Sequence, residues 1–122
     1  MATTEKMVLI STTGIDNPEK AILPFVVAVA ALTVDIEVVI ILQAQAVMFA
    51  KKGIAETINV PGFMPLRQLL DNFTEMGGNL LVCTPCVKER HIASEDLVES
   101  AKLIAAATIV AETLSAKSVL TY

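Results

Sequence analysis

The sequence predicts an α/β fold: a single domain in which a mostly parallel sheet is sandwiched between helices on both faces, in three layers. Three observations predict it. Short apolar runs rich in β-branched residues recur along the chain, and stretches with helical spacing or helix-start signals lie between them. The run Val38-Val39-Ile40-Ile41-Leu42 is continuous rather than alternating, as a strand buried on both faces requires, and such strands belong to parallel sheets. At 122 residues the chain suits one domain and can bury a core without disulfide or metal staples.

Met7-Val8-Leu9-Ile10-Ser11 reads as the first strand, followed by a turn at Thr12-Thr13-Gly14. Asp16-Asn17-Pro18-Glu19 carries a capping residue, an early Pro and a first-turn acid, the signature of a helix start. That helix is expected to run to about Leu32. Its middle, Phe25 to Leu32, is apolar all round, so the core or a neighbouring subunit must cover every side. Pro24 should kink it or shift its start. Asp35 to Leu42 is the second strand, and Gln43 to Lys52 a short helix stopped by Gly53. Residues 54–64, with Pro61-Gly62, read as a loop whose composition permits a lid. Pro65 opens an amphipathic helix with Leu66, Leu69, Leu70 and Phe73 on one face, closed by Gly77-Gly78. Asn79-Leu80-Leu81-Val82-Cys83 is the third strand. Glu95 to Ser100 reads as a helical turn, Ala101 to Ile104 as a fourth strand, and Ala105 to Ala116 as a helix with Ile109, Val110 and Leu114 on one face. Ser118 to Tyr122 is the last strand.

Composition excludes several function classes. The net charge is -4 and aromatics make up 4% with no Trp, so there is no footprint for nucleic acid or anionic lipid and little to stack bases on. The apolar fraction of 54% is high, and part of it is expected to serve a subunit interface. A membrane span is not expected. The uncharged stretch Ala21 to Val34 falls short of the roughly 20 residues needed, and Asp35 and Glu37 then interrupt it. The opening residues Met1 to Lys6 do not lead directly into a signal-like apolar stretch, so the expected location is cytoplasmic.

The candidate chemistry is Cys83-Thr84-Pro85-Cys86. In a cytosolic protein such a pair is more often reactive or metal-binding than structural. Ligands of open parallel sheets bind beyond the carboxyl ends of the strands, which is where Cys83 falls. If Cys86 to Arg90 is helical, its first amides face the Cys83 sulfur and favour a thiolate, and Lys88, Arg90 and His91 add positive charge. Cys86 is the auxiliary member. A small buried core cysteine is the plain alternative. A metal site is not called for: a structural zinc takes four ligands, and the chain offers two cysteines and a single His. Ser11-Thr12-Thr13-Gly14 can line the same cleft, but lacks the second Gly and the Lys of a phosphate loop. Thioredoxins place their Cys-x-x-Cys after an early strand, whereas here the pair follows the third and no aromatic precedes Cys83.

The order of these elements resembles the DsrE/DsrF-like family of sulfur-relay proteins over essentially the whole chain. The most specific stretch is Gly78-Asn79-Leu80-Leu81-Val82-Cys83-Thr84-Pro85-Cys86, followed by Ser94-Glu95-Asp96-Leu97-Val98, Ala101 to Ala107, and Val119 to Tyr122. The resemblance implies a five-stranded, mostly parallel sheet and assembly into homo-oligomers, trimers or hexamers. It also implies sulfur held as a persulfide on a cysteine at the position of Cys83. The leading expectation is therefore a sulfurtransferase-type carrier that needs no cofactor. Its partners would be sulfur-donor and sulfur-acceptor proteins. A dithiol redox protein using both Cys83 and Cys86, or a non-catalytic oligomeric assembly protein, are the alternatives.

Overall fold

The computed structural model describes residues 5–122; Met1 to Thr4, part of the polar stretch ahead of the first strand, lie outside them. The strands are β1 (Lys6–Ser11), β2 (Glu37–Leu42), β3 (Asn79–Cys83), β4 (Ala101–Ile104) and β5 (Ser118–Thr121), and the α-helices are α1 (Pro18–Thr33), α2 (Leu66–Glu75), α3 (Thr84–Glu89) and α4 (Ala106–Ser115). The five strands form one sheet in the order β4-β3-β2-β1-β5. Every pairing is parallel, with Leu9 opposite Ile40, Ile40 opposite Leu80, and Leu9 opposite Leu120.

This order fixes which face each crossover takes. From β1 to β4 the chain steps steadily in one direction, and right-handed crossovers keep α1, α2 and α3 on a common face. From β4 the chain must return past three strands to reach β5. The same handedness applied in the opposite direction puts α4 on the other face. The three expected layers follow from that reversal.

The two faces are unequal. The first is packed by Leu9, Val38, Ile40, Leu42, Leu80 and Val82 against α1, α2 and the segments after β2. Phe25 and Phe49 meet there edge to face, with centroids 6.4 Å apart. The second face buries Val8, Val39, Ile41 and Leu81, with Ile10, Ile104, Ile109 and Ala116 packed around them. Each large apolar side chain contributes about 1.5–3 kcal/mol when fully buried, so the first cluster supplies most of the stability. The charged end of β1 helps dock α4: Lys6 pairs with Glu112 and donates to Ser115 Oγ at 2.8 Å.

Local chemistry explains the helix ends. Asn17 caps α1, its Oδ1 accepting from the Lys20 amide at 3.3 Å, and Pro18 takes the first helical position. Pro24 lies inside α1 and does not move its start; the carbonyl it leaves free belongs to exposed Lys20, where water can reach it. The α2 terminus is a Schellman motif. Gly77 sits at φ 91, its amide on Thr74, while the Gly78 amide reaches Phe73 at 2.8 Å.

Several expectations are refined by the structure. The short helix expected over Gln43 to Lys52 is a tight 3-10 helix over residues 44–50. The segment is short and pinned at both ends: the Ala44 amide is committed to a sulfur, and Lys51 bridges to Leu97. The expected turn over 95–100 is likewise a 3-10 turn, Ser94–Asp96, running into that bridge. Residues 54–64 are anchored in the core by Ala55 and Ile58 and hold the 3-10 turn Ala55–Thr57. The outer side of α1 is only half covered within one chain, at Val26, Val27 and Val29. On α4 only Ile109 of the expected face turns inward. Val110 is 55% and Leu114 81% exposed, because the inward line is Ile109, Glu112 and Ala116.

Candidate functional site

Cys83 is both the last residue of β3 and the N-cap of α3. Its position is set by the sheet. Cys83 stands opposite Ile104 of β4, and the Thr84 hydroxyl donates to the Ile104 carbonyl at 2.8 Å, tying the head of α3 to the end of β4. Here the chain leaving β3 turns onto the first face, while the chain leaving β4 turns onto the second. Adjacent strands whose connections part in this way open a crevice at their carboxyl ends. Pro85 takes an early position in α3, where no amide hydrogen is required.

The turn brings Cys86 back onto Cys83. Both thiols are free and half-buried, and Cys86 Sγ donates to Cys83 Sγ at 2.8 Å. A third element completes the arrangement: the Ala44 amide, just past the end of β2, donates to Cys86 Sγ at 3.3 Å. Ala44 is at φ 51, a left-handed conformation that costs an alanine about 1–3 kcal/mol. That strain is held by neighbours on both sides. Gln43 donates its amide to the Ser11 carbonyl at 2.9 Å, and Gly14 packs against Gln45 so closely that a Cβ there would lie 2.6 Å from the Gln45 Cβ. The Arg90 guanidinium closes the far side, donating to the Cys86 carbonyl at 3.1 Å.

The electrostatics depart from expectation. The Cys83 thiol is held above its ordinary range, first by burial and then by the hydrogen bond and charge of Cys86. The Cys86 amide and the Arg90 charge pull the other way but do not prevail. The expected helix-end effect is small because α3 has only 6 residues. Of the three nearby basic residues, Arg90 acts on Cys83, whereas Lys88 and His91 are exposed to solvent.

The loop Ser11 to Gly14 shares this edge of the sheet, one segment removed from the sulfurs. Ser11 is fully buried with its hydroxyl unpartnered among the described residues. Ala44 is the participant that sequence reasoning missed. Its signal was the alignment of β2 with β3, since Leu42 stands opposite Val82 and the next residues must share an edge with Cys83. Among the described residues no three His, Cys, Asp or Glu side chains converge as a metal site would need. A separate pocket of about 430 Å³ beside α2 is lined by Lys52, Glu56, Arg67, Asp71, Glu75 and Glu99 among others, and includes neither cysteine. No described helix is long and apolar enough to cross a membrane.

A family model described as the DsrE/DsrF-like family matches residues 5–122. The chain belongs to this family. Uncharacterized protein MJ0989 of Methanocaldococcus jannaschii is 34% identical over 117 residues, covering 96% of this chain and 99% of that protein. The fold is that of the ychN protein from E. coli, with a TM-score of 0.83, 21% identity, and 98% of this chain and 100% of that one covered. MTH1491 from Methanobacterium thermoautotrophicum, titled a protein of unknown function, superposes with a TM-score of 0.71 at 13% identity, over 98% and 100% of the two chains. Family membership marks the fold as one related to sulfur relay.

Proposed function

We propose that this protein carries sulfane sulfur as a persulfide on Cys83, in the manner of a sulfurtransferase-type carrier. The observation that supports it best is the placement of a half-buried thiol at the carboxyl end of β3, where the β3 and β4 connections part to opposite faces. In loading, the Cys83 thiolate attacks the outer sulfur of a donor persulfide. A new S–S bond forms, and the donor leaves as a thiolate. Unloading is the same exchange with an acceptor thiol as nucleophile. Such a relay needs donor and acceptor proteins but no cofactor. A reducing compartment, the cytoplasm, keeps both sulfurs free to take part.

The same reading has the domain act as a homo-oligomer, a trimer or hexamer. Val110 and Leu114 of α4 and Val119 of β5 are exposed around the sheet face that this single short helix covers.

The test uses the Cys86→Ser variant, in which the second sulfur cannot interfere. Thiosulfate with a catalytic amount of a sulfurtransferase should add about 32 Da, one sulfur, to the peptide bearing Cys83. A peptide that never gains this mass defeats the proposal. A dithiol–disulfide couple is the second reading, favoured by the 2.8 Å approach of the two sulfurs. It requires both cysteines for turnover, whereas the carrier requires Cys83.

A further inference from the structure

The contact between the sulfurs bears on how a persulfide at Cys83 would end. Cys86 Sγ is 2.8 Å from Cys83 Sγ and is fixed there from two directions. The Ala44 amide points at the sulfur itself, and Arg90 holds the Cys86 carbonyl. A near-attack arrangement requires reacting atoms within about 3–3.5 Å and aligned orbitals, and the two sulfurs already meet the distance requirement. A strained alanine persists only where the surroundings over-determine it, and Ala44 spends its strain on orienting this one sulfur.

We infer that Cys86 is the discharging nucleophile, and that the loaded protein releases its sulfane sulfur as hydrosulfide through an internal Cys83–Cys86 disulfide. This rests on the carrier reading above. The balance is complete without an external oxidant. The Cys86 thiolate attacks Cys83 Sγ. The bond between Cys83 Sγ and the terminal sulfur breaks, and that sulfur leaves with the electron pair as HS⁻. The sulfane sulfur is reduced and the two cysteine sulfurs are oxidised to the disulfide. A cellular dithiol must then reduce the disulfide before the next loading. The protein would thereby act as a persulfide reductase when no acceptor is docked, and as a carrier when an acceptor reaches the terminal sulfur first.

The proposal is tested on the whole chain, with thiosulfate and a sulfurtransferase as the loading system, since sulfite is then the only small product of loading. Wild type without added thiol should release one equivalent of sulfide per chain and stop. Its peptide spanning both cysteines should end about 2 Da lighter, as a disulfide. Adding a dithiol should make the release continuous. Cys86→Ser and Cys86→Ala should keep the added sulfur and release none. Wild type that retains the added sulfur while the Cys86 variants also load overturns this inference and leaves the carrier reading intact. Sulfide released equally by the Cys86 variants overturns it too. Variants and wild type that never load overturn the carrier reading itself. The wild-type measurement stands even if neither variant folds.

Discussion

Replacing Gly78 by Ala tests how tightly the entry to β3 is built. An ideal Cβ at Gly78 would lie 2.3, 2.4 and 2.6 Å from three ring atoms of Phe73. Phe73 is fully buried on α2 within the main cluster, so its ring has no open space to swing into. Overpacking of this kind costs about 1–3 kcal/mol, and the contacts here put Gly78→Ala at the upper end. Gly77→Ala is the control. Its Cβ would meet nothing within 4 Å, but φ is 91, so its cost of about 1–2 kcal/mol is one of backbone conformation alone. The two costs overlap in size and differ in cause, which a double-mutant cycle can separate. Phe73→Leu removes Cε1 and Cζ, the two nearest of the clashing ring atoms, so it should recover about 1 kcal/mol or more of the Gly78→Ala loss and none of the Gly77→Ala loss. Urea unfolding at equal m-values reads both. A Gly78→Ala protein within about 0.5 kcal/mol of wild type, or equal coupling of both glycines to Phe73, refutes the reasoning.

Alkylation of Cys83 should show a pH midpoint above that of a free thiol, because burial and Cys86 favour the protonated form, and Arg90→Ala should raise it further. The same shift has a sign in stability. The contribution from Cys83 is fully present below the ordinary thiol range and is lost as pH rises through the raised folded value. A midpoint at or below that of a free thiol contradicts this. Leu114→Lys should leave folding within about 0.5 kcal/mol of wild type, since the side chain is 81% exposed in the single chain. It should lower the mass seen by sedimentation towards the 13.0 kDa monomer, and an unchanged mass argues against an interface there.

Much of the fold was legible because its strands are punctuated clearly. Asn79 to Cys83 is a short, mostly apolar run between Gly77-Gly78 and Thr84-Pro85, and both it and Ala101 to Ile104 start and end as the sequence predicts. The capping signature at Asn17-Pro18 and the glycine pair at 77–78 marked helix ends by chemistry, not by propensity. Residues 44–50 read as a short helix and are one, but their 3-10 character was not legible, because an apolar stretch carries no mark of whether three or four residues span its hydrogen bonds. The face of α4 was misread because Val110 and Leu114 look inward on a helical wheel, while the Lys6–Glu112 pair turns the helix another way. At the site, the partnership of Cys83 and Cys86 followed from their spacing. The sign of the Cys83 shift did not, since desolvation and a neighbouring sulfur are properties of packing. The Ala44 amide was invisible for a similar reason: a backbone group has no letter of its own.

The pairing of β1 with β5 sets a kinetic problem for the chain. Strand β1 lies between β2 and β5, yet Thr12 and Tyr122, whose bond extends that pairing, are 110 residues apart in sequence. Contacts of such separation form late in folding, after the nearer crossovers have assembled. Until they form, β1 presents a free hydrogen-bonding edge, and Val8, Val39, Ile41 and Leu81 have no helix over them. The final segment of a second chain offers the same partner at that moment. At high concentration, refolding should therefore branch between a self-closed sheet and an exchanged dimer in which α4 and β5 have swapped hosts.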